Sequence, residues 1–263
     1  MVMEETRYTS KYGGKLNLTL CDPYELCEER KRIHRDYLAH LFRFYFVGRL
    51  IKRGMKILDV GAGVGALAET LYRNMLKPEH YVAVEIKDSF VQRLQDLATK
   101  VNFRLDVIQA DIRKSLFATG FHEYFDVVCC FEVIEHFESY WDKPEYLTNV
   151  LEQMKYAVKP EGVILLSTPN FDGKHKAKNH IYEYTEKELD TIFWEHALKV
   201  EKKFGTFMSL GRPKQAKQIL SECEYEVYRK LYEYYNSSIL SVMFAPLHPS
   251  ESRNILWVLK KNG

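Results

Sequence analysis

The chain has 263 residues, 46% of them hydrophobic and 28% charged, with a net charge of +2. That length buries a substantial core, and one α/β domain with appendages accounts for it better than two independent domains. The near-balanced charge supplies no global field that would demand a nucleic acid or a membrane as partner, and no apolar run reaches the ~20 residues that cross a bilayer. Residues 1–20 are polar and glycine-containing, without the apolar centre of a secretion signal, so a cytoplasmic protein with no membrane contact is expected. Asp22 as cap and Pro23 in the first turn then open a helix that runs through Ile51. Its Leu38, Leu41, Phe42, Tyr45 and Phe46 recur at helical spacing and form a core face. Residues 1–50 thus read as an N-terminal segment and helix that act as a lid on cofactor and substrate, ahead of a catalytic domain over 51–263. The cysteines, Cys21, Cys27, Cys129, Cys130 and Cys223, are odd in number with no C-x-x-C spacing, and read as reduced thiols that pack.

The most informative stretch follows, Met55 to Leu67, MKILDVGAGVGAL. An apolar strand ends in Asp59 and turns at once into Gly61, Gly63 and Gly65, which lack the Cβ that would keep a ligand away from the backbone. Such a turn suits a nucleoside cofactor. The dinucleotide pattern places its last glycine where Ala66 stands here, which sets a nicotinamide-dependent dehydrogenase aside. Tyr81 to Ile86 is a second strand, and its Glu85 stands about 20 residues past the turn, where a carboxylate accepts ribose hydroxyls. A third strand, Asp106 to Ile112, ends in Asp111, suited to an adenine amine. The fourth, Phe125 to Phe131, runs into Glu132, and the fifth, Gly162 to Ser167, follows a turn at Lys159-Pro160-Glu161-Gly162. Strand and helix alternate to about Ala197, which predicts a mostly parallel sheet with helices on both faces. Leu198 to Phe207 and Asn254 to Lys260 read as a sixth and a seventh strand. The stretch 208–253 between them, with a helix expected from Pro213 to Tyr235, is an insertion too long for a plain connection and is assigned to the substrate side.

Taken together, Asp59-Val-Gly61-Ala-Gly63-Val-Gly65, Glu85, Asp111, Phe125-Asp126-Val127-Val128 and Val158-Lys159-Pro160-Glu161-Gly162 resemble the class I S-adenosylmethionine-dependent methyltransferases. The resemblance spans roughly residues 50–204 and the terminal strand. It implies a Rossmann-like, seven-stranded, doubly wound sheet whose last two strands form an antiparallel hairpin, with S-adenosylmethionine as cofactor. The cofactor-binding residues it implies are Asp59, Gly61, Ala62, Gly63, Gly65, Glu85, Ile86, Asp111, Ile112, Phe131 and Glu132, the last near the methionine end.

The acceptor chemistry is carried by Phe131-Glu132-Val133-Ile134-Glu135-His136 and by the loop Asn170 to Tyr184. Methyl transfer to a hydroxyl needs alignment and removal of a proton, and an imidazole titrates near neutral pH. His136 and His180 are therefore the candidate bases, with Glu135 orienting a histidine or the acceptor. In the loop, Lys174, His175, Lys176, Lys178 and His180 interleave with Phe171, Tyr182 and Tyr184, a composition that suits a phosphate-bearing or nucleotide-like acceptor if the cations flank exposed rings. A solvated surface loop gives the same composition. An alternative uses the same side chains. Glu132, Glu135, His136 and His180 resemble the metal set of the methyltransferases that modify the terminal ribose 2′-hydroxyl of small RNAs, where Mg²⁺ or Mn²⁺ polarises the vicinal hydroxyls. The favoured reading is O-methylation of a small or phosphorylated acceptor without metal; the others are that metal-dependent RNA enzyme and a non-catalytic module that only binds the cofactor.

Overall fold

The computed structural model describes residues 7–9, 15–17, 43–44, 46–174, 176–208 and 245–262. Seven strands form one sheet: β3 (Lys56–Val60), β4 (His80–Glu85), β5 (Arg104–Gln109), β6 (Phe125–Phe131), β7 (Val158–Pro169), β8 (Leu198–Met208) and β9 (Ser252–Lys261), in the order β5-β4-β3-β6-β7-β9-β8. The first five are mutually parallel. β9 runs antiparallel to both β7 and β8, so the last strand lies inside the sheet and the sixth at its edge. The α/β sheet and the terminal hairpin both follow the expected pattern. A separate antiparallel pair, β1 (Arg7–Thr9) with β2 (Lys15–Asn17), lies in the segment read only as polar.

Helices α1 (Ala66–Arg73), α2 (Asp88–Ala98), α3 (Pro144–Ala157) and α4 (Glu186–Glu195) cover the sheet. Pro144 sits in the first turn of α3, where a missing N–H costs nothing. Thr185 and Glu188 close a capping box at the start of α4. Strand residues alternate between two cores. Ile57, Tyr81, Ala83, Val127, Cys129 and Leu165 face one; Leu58, Val82, Val84, Val128, Cys130 and Leu166 face the other. Burial on both faces is why β6 reads FDVVCCF instead of alternating with polar residues. Cys129 and Cys130 are free and buried, and burial pushes both thiols well above their usual range, in keeping with a packing role.

Two boundaries differ from the sequence reading. β5 ends at Gln109, which leaves Asp111 beyond the strand. β7 starts at Val158 directly from α3, so Lys159 to Gly162 is not a separate turn. The β6–β7 register shifts between Phe125 and Val127 instead. Asp126 holds this irregular start, accepting from Lys159 Nζ at 2.5 Å and from the Lys56 N–H at 2.7 Å. A Cβ on Gly162 would stand 2.9 Å from the Asp126 carbonyl, which explains the glycine.

Residues 43–44 and 46–50 are helical, and Phe46 stacks on Phe204 with centroids 5.7 Å apart, as a core face requires. Leu38, Leu41, Phe42 and Tyr45, the expected helix at 213–235, and Cys21, Cys27 and Cys223 lie outside the described residues. Among the described residues no helix is long and apolar enough to cross a membrane. The carboxyl ends of β3, β4, β6 and β7 open on one edge of the sheet, where open α/β sheets bind their ligands.

Candidate active site

Each glycine of the turn after β3 has its own task. All three have left-handed φ: +73° at Gly61, +56° at Gly63 and +83° at Gly65. A Cβ at Gly61 would meet Val133 Cγ2 at 2.4 Å, and one at Gly65 would meet Leu97 and Leu94 of α2 at 2.7 and 2.9 Å. These two are packing glycines, and Gly61 sets the turn directly against the 132–136 segment. Gly63 differs: nothing lies within 4 Å of where its Cβ would be. Its bare side faces open space. Gly65 also caps α1 without any side-chain cap, so the first N–H groups of that helix are free of side-chain acceptors.

Glu85 locks this turn to the end of β4. Its Oε2 accepts from the Gly63 N–H at 2.8 Å, and its Oε1 from the Ile86 and Lys87 N–H groups at 2.9 Å each. Gly61 and Ala62 donate to the Val84 carbonyl at 2.8 and 3.0 Å. A carboxylate has about four acceptor positions, so one remains on Glu85 for a sugar hydroxyl. Asp59 lies beneath, 3% exposed, and accepts a bond from the Tyr81 hydroxyl. Burial, with the charge of Glu85, pushes the Asp59 pKa up to about 7 against the Tyr81 bond and Arg43. Ile86 is 52% exposed beside the turn, while Ile112 is buried and its carbonyl accepts from Asn149. Asp111 pairs with Arg113, whose Nε and Nη2 each stand 2.9 Å from one of its oxygens, and this pairing holds its pKa below the usual range.

Glu132 lies at the end of β6 with φ +55°. Its Oε1 accepts from Arg43 and, at 3.0 Å, from the Ser167 hydroxyl; its Oε2 accepts from Asn254 Nδ2 at 2.7 Å. Arg43 is 2% exposed and its guanidinium lies 5.6 Å from the Phe131 ring centroid. Glu132 is thereby tied to the N-terminal helical segment, to β7 and to β9.

Glu135, His136 and His180 do come together, with one ligand atom of each within 4.8 Å of the others. Glu135 is fully buried; Thr168 donates to its Oε2 at 3.0 Å, and its Oε1 has no hydrogen-bond partner among the described residues. Burial first, then the charge of Glu132, raises its pKa well above the carboxylate range. His136 is exposed, and its Nδ1 stands 3.1 Å from the Asn179 carbonyl. Although its edge is open to solvent, the rest of its ring is desolvated, and this, with neighbouring His180, lowers its pKa against the Asn179 carbonyl and the charge of Glu132. The two imidazoles meet edge to face, with centroids 5.2 Å apart. The loop carrying His180 is held over β6, because the Ile181 and Tyr182 N–H groups both donate to the Glu135 carbonyl, at 2.8 and 3.2 Å.

A family model described as "Methyltransferase domain" matches residues 28–229 of this chain. The chain belongs to the class I S-adenosylmethionine-dependent methyltransferases. Among similar curated proteins, the mitochondrial ubiquinone biosynthesis O-methyltransferase of Schizosaccharomyces pombe is 32% identical over 133 residues, covering 51% of this chain and 43% of that protein. The ubiquinone biosynthesis O-methyltransferase of Citrobacter koseri is 31% identical over 121 residues, covering 46% of this chain and 45% of that protein. The chain thus spans less than half the length of these relatives. A solved TehB-like S-adenosylmethionine-dependent methyltransferase from Corynebacterium glutamicum shares the fold, with a TM-score of 0.54 at 12% identity over 90% of this chain and 93% of that one.

Within this methyltransferase the sequence reading needs two corrections and several additions. Glu132 does not join Glu135, His136 and His180; the ion pair with Arg43 occupies it. The loop aromatics do not form a platform: Tyr184 is fully buried with its hydroxyl accepting from the Tyr140 N–H, and the Tyr182 hydroxyl donates to Glu188. Lys176 caps the Ile181 carbonyl, Lys174 and Lys178 are exposed, and His175 lies outside the described residues. Arg43, Ser167, Asn254 and Glu183 were not foreseen.

The Asp59 carboxyl gives the methyltransferase a pH-dependent stability. Its pKa is about 7 when folded, against 3.8 for an ordinary aspartate, so the folded chain binds the extra proton between those limits. The contribution is fully present below about pH 4 and is lost as pH rises through about 7, on the order of 4 kcal/mol in total. Thermal unfolding at pH 5 and pH 8 measures this: Asp59→Asn is expected to lose less stability across that interval than the native chain, and equal losses would refute the assignment.

Proposed function

We propose that this methyltransferase O-methylates a small hydroxyl-bearing molecule, with His180 as the proton acceptor. The observation that carries the reading is the convergence of Glu135, His136 and His180 at the end of β6, in a segment that packs on the glycine turn through Val133 and Gly61. The curated relatives are ubiquinone biosynthesis O-methyltransferases, which agrees with oxygen as the methylated atom. The residues fit S-adenosylmethionine: the open side of Gly63 admits it, the remaining acceptor position of Glu85 takes a ribose hydroxyl, and Ile86 offers an apolar face to adenine. Asp111 and Ile112 would hold the adenine, with Gly61, Ala62 and Gly65 forming the turn beside it. Asp59 underlies the turn, and Phe131 and Glu132 would hold the methionine end. When bound, that cofactor supplies an electrophilic methyl group.

The chain's own part is to orient the acceptor and take its proton. Glu135 presents a buried polar group beside the histidines, its Oε1 without a partner among the described residues. His180 takes the proton at Nε2, because its Nδ1 already bonds Glu183 at 2.6 Å. A metal-dependent ribose 2′-O-methyltransferase is the second reading, favoured by one observation: the unpartnered Oε1 of Glu135 lies with two imidazoles around one small space. Two imidazoles and one carboxylate suit Mn²⁺ better than Mg²⁺. Incubation with methyl-labelled S-adenosylmethionine and panels of phenols, catechols and 3′-terminal RNA, with and without EDTA, separates these. Label transfer to a small hydroxylated molecule in EDTA is expected. Transfer confined to RNA and restored by Mn²⁺ would replace the first reading with the second, and bound donor with no transfer would make the protein a binding module.

A further inference from the structure

We propose that Glu183 is a positioning residue that makes His180, and not His136, the base of this site; the inference rests on the proposed O-methylation. The two imidazoles lie side by side, yet their partners differ in charge. His180 Nδ1 stands 2.6 Å from Glu183 Oε1, with both side chains largely buried, at 14% and 7% exposure. His136 Nδ1 faces a neutral carbonyl, that of Asn179. Burial works against ionisation of Glu183, but the bonds from His180 and from the Ala177 N–H, the latter at 2.8 Å, hold its pKa below the usual carboxylate range. An ionised carboxylate only accepts, so Nδ1 carries the hydrogen and the lone pair of His180 is on Nε2.

The consequence is chemical. When the acceptor hydroxyl gives up its proton to Nε2, its oxygen forms the bond to the methyl carbon, and the pair of the broken carbon–sulfur bond stays on sulfur. The imidazolium that results is stabilised by a buried anion 2.6 Å away and then releases its proton to water, with Glu183 ionised throughout. Among the described residues His136 has no hydrogen-bonded carboxylate partner. The geometry is preorganised, because Ala177 fixes the carboxylate and the Glu135 carbonyl fixes the backbone at Ile181 and Tyr182 on the other side of the ring. The other ionisable groups that bear on this pair are His136 at the ring contact, Glu135 within 4.8 Å of His180, and Lys176, whose charge acts on Glu183.

The test compares Glu183→Gln and Glu183→Asp with the native chain. Glu183→Gln keeps the shape and removes the charge; kcat is expected to fall about 100-fold with the KM for S-adenosylmethionine within about twofold. The acidic limb of the kcat–pH profile moves to lower pH, a change that a merely structural role would not produce, and Glu183→Asp restores part of the rate. In the native protein, ¹⁵N-histidine NMR is expected to show His180 protonated at Nδ1. An unchanged rate and pH limb in Glu183→Gln, or a native His180 protonated at Nε2 alone, would overturn the inference. If Glu183→Gln fails to bind donor, the native NMR spectrum decides. Failure of the underlying reading looks different: His180→Ala would then keep the native rate, whereas an inactive His180→Ala beside a fully active Glu183→Gln would sink only the role of Glu183.

Discussion

Replacing His180 by alanine lowers kcat by about 10²–10⁴-fold while donor affinity stays at the native level. The magnitude is that of a removed general base, since the acceptor proton must then pass to water during the displacement. The variant is expected to fold, because His180 belongs to a loop held by other contacts: Asn170 bonds the Ser250 and Ser252 carbonyls and the Glu186 N–H, and Phe171 donates to the Tyr184 carbonyl. His136→Ala loses less, about tenfold, because exposed His136 has only a carbonyl partner and serves by contact with the acceptor and with the His180 ring. Steady-state rates of the two variants under saturating donor measure the difference, and a larger loss in His136→Ala would exchange the two roles.

The second large effect is on the cofactor. In Gly63→Val the fold is expected to survive, since among the described residues no atom lies within 4 Å of the new Cβ, but a β-branched residue at φ +56° carries about 1–2 kcal/mol of strain. Its methyl groups then fill the side of the turn that must approach the nucleoside, and the Gly63 N–H shifts from Glu85. S-adenosylmethionine affinity is expected to fall about 100-fold or more, equivalent to roughly 3 kcal/mol, with a thermal midpoint only a few degrees lower. Gly61→Ala does the opposite: its Cβ would strike Val133 at 2.4 Å, so stability is lost first. A Gly63→Val chain that unfolded, or that bound donor like the native chain, would contradict the division of labour among these glycines.

Much of this was legible in the sequence because it is local. Apolar runs of strand length separated by helical stretches predict the sheet, and the left-handed turn after Asp59 needs glycine for reasons that one residue's backbone decides. Glu85 was legible too, as the acid that ends the strand beside that turn. What was hidden depends on distant partners or on side-chain direction. Arg43, Ser167 and Asn254 reach Glu132 from 89, 35 and 122 residues away, and nothing in EVIEH shows that Glu132 is spoken for. Lysines alternating with tyrosines look alike whether the rings face water or, as Tyr184 does, the core. The short pair of β1 and β2 carries no apolar run to mark it. Glu183 was within reach, since an acid three residues from a candidate base is a local pattern, and Arg113 two residues from Asp111 is another.

The glycine turn beside Glu85 is expected to hold an adenosyl sulfonium within reach of the histidines. Calorimetric titration of the native chain with S-adenosylmethionine tests it most directly. One binding site per chain is expected, with affinity sharply reduced in Glu85→Ala. Absence of binding, or binding that ignores Glu85, would contradict it.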